Sequence, residues 1–166
     1  MPMDIKVIRS DKRIRSLSAR VVDGEVIVRA PAHLSDAELA PLVARLVARI
    51  ERRAARATLD DDALEARARE LNRQYFGGKL RWQSVRWVTN QERRHGSCTP
   101  ADGTIRVSHR VAKMPRFVQD YVLIHELAHL LEPNHSPRFW RAVSRYPRTE
   151  RARGYLMAVG LEEVEE

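Results

Sequence analysis

"HELAHLLEPNH", residues 125–135, places three histidines and a glutamate within one short stretch. If a helix runs through its first half, His125 and His129 stand four residues apart and only ~40° from each other around the axis. Their rings then leave one face a turn apart, the spacing that two ligands of a single zinc ion need. Glu126 lies on the flank of that face, near enough to take a proton from water at the metal without ligating it. His135 cannot join them on a continuing helix, where it would sit ~15 Å further along the axis and turned ~80° away. The sequence supplies a break. Pro133 disfavours helical geometry at Glu132, and Asn134 tolerates the left-handed conformation that allows a reversal. Ser136-Pro137 then reads as the N-cap and first position of a new helix. His135 is therefore expected in a tight turn from which it can swing back to the metal. Three neutral imidazoles leave one tetrahedral position open, the mark of a catalytic rather than a structural zinc site. The plainer reading makes His125 and His129 core histidines and His135 a surface residue.

Outward from this stretch the pattern alternates strands with helices. Pro115 opens the long apolar helix that carries His125 and His129, and Phe139 and Trp140 read as core residues anchoring the turn. Upstream, "LRWQSVRWV", the "HGSC" region and "TIRVS" after Asp102-Gly103 read as strands. Before them a helix is expected over Asp61 to Phe76, acidic in its first turn and stopped by Gly77-Gly78. Residues 5–8, 14–22 and 25–30 read as further strands, the last two joined in a hairpin by Asp23-Gly24. "SDAE" at 35–38 is a capping box for an amphipathic helix with Leu39, Leu42, Val43, Leu46, Val47 and Ile50 on one side. Pro41 in its second turn could shift that start. After Pro133 the chain is helical with a break at Pro147. The expected fold is α+β: a small mixed or antiparallel sheet packed by helices, with the HExxH helix at the centre and an N-terminal β-hairpin and helix ahead of it. Residues 1–166 are taken as one domain, with 1–57 as N-terminal strands and helix and 58–166 as the catalytic core.

Composition narrows the function classes. Hydrophobic residues at 43% are enough for a core, 31% charged residues suit a soluble chain rather than a disordered one, and no apolar run approaches the ~18 residues that span a bilayer. The start lacks the apolar region of a secretory signal and Cys98 is the lone cysteine, so a reducing, cytoplasmic address without disulfides is expected. A net charge of +8 and a pI near 10.3 invite contact with nucleic acid or nucleotides. Yet Arg45, Arg49, Arg52, Arg53 and Arg56 lie mostly off the apolar stripe of their helix, and no glycine-rich phosphate loop or aromatic-basic motif accompanies them. Weak contact through a basic surface is the expectation.

"HGSCTPADGTIRVSHRVAKMPRFVQDYVLIHELAHLLEPNHSPRFW" resembles the YgjP-like metallopeptidases, zincins related to the SprT and WLM groups. The resemblance runs from about Arg93 to Trp140, and "HELAH" with "NHSPRFW" carries its specificity. It implies zinc ligands at His125, His129 and His135 and a catalytic Glu126. The chain departs from the family pattern at His95, where a tryptophan is usual, and at or near Ser108, where an asparagine often follows the short strand.

The leading function is hydrolysis of peptide bonds by zinc-activated water, with Glu126 as general base and a peptide or protein as substrate. A metal-dependent phosphohydrolase acting on nucleotides and a SprT-like protease acting on DNA-associated proteins are the alternatives. Arg94, His95 and Tyr155 are candidate substrate-binding residues, and the strand Thr104 to Ser108 could pair with an extended peptide. Cys98 reads as a small buried residue, with an inhibitory thiolate on the zinc as its alternative. Glu150 is a remote candidate ligand, and Met157 reads as a helical core methionine.

Overall fold

The computed structural model describes residues 4–12 and 15–160. The chain divides into two compact units, one ending at Ala54 and the other beginning at Ala55. Among the described residues no helix is long and apolar enough to cross a membrane.

The first unit holds β1 (Ile5–Ser10), β2 (Ser18–Val22) and β3 (Glu25–Pro31) in the order β1-β3-β2. Val22 faces Glu25 across the expected hairpin, whose two-residue turn has φ of 50° at Asp23 and 84° at Gly24. Both signs match the primed turns whose twist suits a hairpin. β2 starts at Ser18, later than the expected strand, whose residue 14 lies outside the described residues. β1 adds itself parallel to β3, Ile5 against Val26, a pairing that no local turn signal announces. The capping box forms as read. Ser35 N–H donates to Glu38 Oε2 at 2.9 Å, and Glu38 N–H donates back to Ser35 Oγ at 3.3 Å. It starts α1 (Asp36–Ala57), with Pro41 accommodated inside the helix rather than moving its start. Val47 packs with Val26 and Val28, and Val43 and Ile50 close the same small core.

The second unit carries α2 (Asp61–Phe76), β4 (Ser84–Val88), β5 (Gly96–Thr99), β6 (Thr104–Ser108), α3 (Arg116–Ala128), α4 (Pro137–Val143) and α5 (Thr149–Ala158). α2 keeps its expected limits. Asp60 Oδ1 accepts from Ala63 N–H at one end, and Gly77 at φ 64° ends the other. β4 is shorter than the apolar run "LRWQSVRWV" suggests, because residues before it are engaged elsewhere. The buried Asn72 side chain both donates to Leu80 O (3.1 Å) and accepts from Leu80 N–H (3.2 Å), while Gln83 N–H donates to Gly103 O.

The sheet runs β4-β6-β5, with β4 parallel and β5 antiparallel to β6. β6 is thus the central strand and has no edge left for a peptide, contrary to the expectation for Thr104 to Ser108; among the described residues β4 and β5 are the two edge strands. Val85, Trp87, Ile105 and Val107 alternate inward, while Arg86 and Arg106 point outward. Against this layer lies α3, buried along most of its length through Val118, Tyr121, Val122, Leu123, Ile124, Leu127 and Ala128. Arg67 of α2 fixes the helix pair with two bonds to the buried Asp120, Nε to Oδ1 at 2.8 Å and Nη2 to Oδ2 at 2.7 Å.

Asn72→Ala strands a buried N–H and a buried carbonyl at Leu80. Urea denaturation should show a loss of about 1–3 kcal/mol. An unchanged midpoint would show that the loop finds other partners at no cost.

Candidate functional site

The local path of residues 125–139 follows from capping chemistry. α3 ends at Ala128, and His129 is its C-cap, still right-handed at φ −64° and ψ −20°. Leu130, Leu131 and Glu132 tighten the end by donating to Leu127 O, Ala128 O and Ala128 O. Ser136 N–H then closes the reversal on Asn134 O at 2.8 Å, and Ser136 Oγ caps α4 by accepting from Phe139 N–H. Pro137 takes the first turn of α4, as its fixed φ favours. Asn134 does not supply a left-handed residue: the only non-glycine with positive φ among the described residues is Asp23. The short bond from Ser136 to Asn134 makes the turn instead.

This turn brings His135 back over the helix. The ring centroids of the three histidines lie 5.0 Å (His125–His129), 5.1 Å (His125–His135) and 4.8 Å (His129–His135) apart. One ligand nitrogen from each ring falls within 4.8 Å of the others. His135 Nε2 and His125 Nε2 are 3.1 Å apart. Two nitrogens bound at 2.0–2.1 Å to one tetrahedral ion would be about 3.3 Å apart, so this pair already has a ligand spacing. His129 Nδ1 lies 3.2 Å from Glu132 O, and since a carbonyl only accepts, Nδ1 carries the proton. That leaves the lone pair on Nε2 for a metal. Burial first, then the neighbouring His129, His135, His95 and Arg153, push the His125 imidazole down to about 3, keeping it neutral and able to ligate. The donor set fits a metal ion.

Phe139 holds the rings in place. It is fully buried and stacks on His129 (4.4 Å, 26°), with His125 and His135 edge-on at 4.8 Å each. Trp140 stacks on His135 at 5.8 Å and 26°, and the Arg153 guanidinium lies 4.7 Å over the Trp140 ring. Phe139 and Trp140 do anchor the turn, and they also wall the site.

Glu126 is buried beside this cluster. Burial raises its carboxyl to about 8, against a smaller opposing pull from Arg94. Arg94 is exposed and acts on the site through that charge. His95 is half-buried; its carbonyl accepts from Ser108 N–H at 2.7 Å, and its ring is close enough to bear on His125. Tyr155 instead packs edge-on against Phe117, 6.1 Å between centroids, eight residues before His125 on α3. Cys98 packs against the core, its thiol pushed up to about 12 by burial and then by Glu126 and Asp102, which disfavours a thiolate. Glu150 is exposed and pairs with Arg153. Met157 is 49% exposed, so it is not the core methionine expected.

Three contributors escape a reading of local sequence. Tyr121 flanks His125 one turn earlier at 5.9 Å, Arg153 arrives from α5, and Gly96 passes directly over Glu126. Only Gly96 had a signal, its place in "HGSC".

A family model of the YgjP-like metallopeptidase domain matches residues 64–158. The crystal structure of the metallopeptidase zymogen of Pyrococcus abyssi abylysin is similar at a TM-score of 0.51 and 25% identity, over 61% of this chain and 99% of its own. No curated protein matches the chain.

Replacing Phe139 by alanine removes a fully buried ring touching all three histidines. Unfolding of the metal-free variant should show a loss of about 3–5 kcal/mol. A loss under about 1 kcal/mol would mean that the ring is not the floor of the site.

Proposed function

This chain belongs to the YgjP-like metallopeptidase family, and we propose that it hydrolyses peptide bonds with one zinc ion held by His125, His129 and His135 and with Glu126 as the proton carrier. That it is a metal-dependent hydrolase follows from the family. The observation that carries the finer reading is the convergence of three imidazole nitrogens within 4.8 Å, next in sequence to a buried carboxylate. An all-imidazole set favours zinc over magnesium or calcium, which take oxygen ligands. Bound there, zinc supplies Lewis acidity, acidifying water from 15.7 to about 7 and polarising the scissile carbonyl.

The remaining work falls to the chain's own residues. Glu126 takes a proton from the attacking water and delivers it to the departing amine nitrogen. Phe139 and Trp140 hold the histidine rings in order by packing against them. The free edge of β5 offers backbone groups to an extended peptide, with Arg94 and His95 at its leading end. An exposed arginine there favours an acidic group on the substrate.

Two measurements test the reading. Elemental analysis should give about one zinc per chain, lost in His135→Ala; full occupancy in that variant would remove His135 from the ligands. Glu126→Gln should retain zinc, since the amide keeps the size of the side chain. Its turnover of a mixed peptide library should fall at least about 100-fold at matched zinc occupancy. Near-normal turnover would show that Glu126 is not the base. A library left intact by zinc-loaded protein that hydrolyses nucleotides would overturn the peptidase assignment.

A further inference from the structure

We propose that Gly96 is a positioning residue for Glu126, and that its missing side chain is what gives the carboxylate its place. This rests on the reading of Glu126 as proton carrier, but the contact itself can be measured without it. A Cβ built on Gly96 would stand 2.6 Å from Glu126 Oε1 and 2.9 Å from both Cδ and Cγ. Carbon atoms in favourable contact keep about 3.5–4.0 Å, so all three separations are too short. The clash reaches Cγ, near the root of the side chain. Swinging the carboxylate end aside does not relieve it, and the side chain must change rotamer.

Neither partner can withdraw. Ile124, Leu127 and Ala128 around Glu126 are fully buried, so α3 has no room to shift. β5 is paired to β6 at Gly96↔Val107 and Cys98↔Ile105, with Ser108 N–H on His95 O just before it. Backbone conformation does not demand glycine here, since Gly96 is not among the positive-φ glycines. Alanine can adopt the same backbone. What it cannot do is share the space. Gly154, also without positive φ and with nothing within 4 Å of a built Cβ, makes a matched control.

The test is Gly96→Ala measured two ways, with Gly154→Ala beside it. On the mixed peptide library at matched zinc occupancy, Gly96→Ala should lower kcat about 100-fold, the size expected for misplacing a catalytic group by about an ångström. Its KM should change less than about threefold, and Gly154→Ala should keep wild-type turnover. Urea unfolding of the metal-free proteins supplies the second arm. Gly96→Ala should lower the midpoint in the wild-type background, yet leave it unmoved or raised in Glu126→Ala, where the space is vacant. An equal midpoint loss in both backgrounds, or wild-type kcat in Gly96→Ala, would overturn the proposal. Should Glu126→Gln retain turnover, the proton-carrier reading fails by itself, while the unfolding cycle still decides whether Gly96 makes room for Glu126.

Discussion

The site depends on a polar centre being mounted on a helix that cannot move. α3 is packed on β5, β6, α2, α4 and α5, and its residues from Val118 to Ala128 are almost all buried. A close-packed interior transmits strain rather than absorbing it, so the directions of His125, Glu126 and His129 are set by the whole core. The bidentate Arg67–Asp120 pair adds a fixed point five residues before His125. Only His135 comes from outside the helix, and the turn that delivers it is closed by backbone and serine bonds rather than by a flexible loop.

The aromatic wall solves a second problem. Three imidazoles brought this close repel one another if more than one of them is charged. Burial and mutual proximity hold His125 neutral, and the Glu132 carbonyl fixes the tautomer of His129. Phe139 then fills the volume beneath all three rings, so their orientation is decided by packing before any ion arrives. Trp140, caught between His135 and Arg153, does for the exposed ring what Phe139 does for the half-buried pair.

Local chemistry was legible in the sequence and long-range order was not. The i, i+4 histidines, the Ser35–Glu38 box, the Asp23-Gly24 turn, the limits of α2 and the Ser136-Pro137 start each depend on residues a few positions apart. The parallel partner of β1 and the central place of β6 depend on which strands meet across 20 residues or more, and no local spacing encodes that choice. The expectation for Asn134 failed for a subtler reason. A residue that tolerates left-handed backbone does not require it, and a competing hydrogen bond made the reversal with ordinary φ. Met157 failed because apolar character does not fix which side of a short helix faces the core.

β5 joins these threads. Its residues alternate in direction, so Gly96 and Cys98 turn toward Glu126 and the core, while Ser97 takes a bond from Gln91 on the other side. Its backbone is paired on one edge with β6 and open on the other. The same four residues therefore cover Glu126 with one face and present backbone groups along the open edge. Side-chain space at Gly96 sets how deeply the carboxylate sits under the strand, and strand pairing with β6 sets how near the edge lies to it. A peptide docked on that edge would be registered against Glu126 by the strand itself. One short strand thus ties the place of the Glu126 carboxylate to the place of an open strand edge, and it leaves little room for a larger side chain at Gly96.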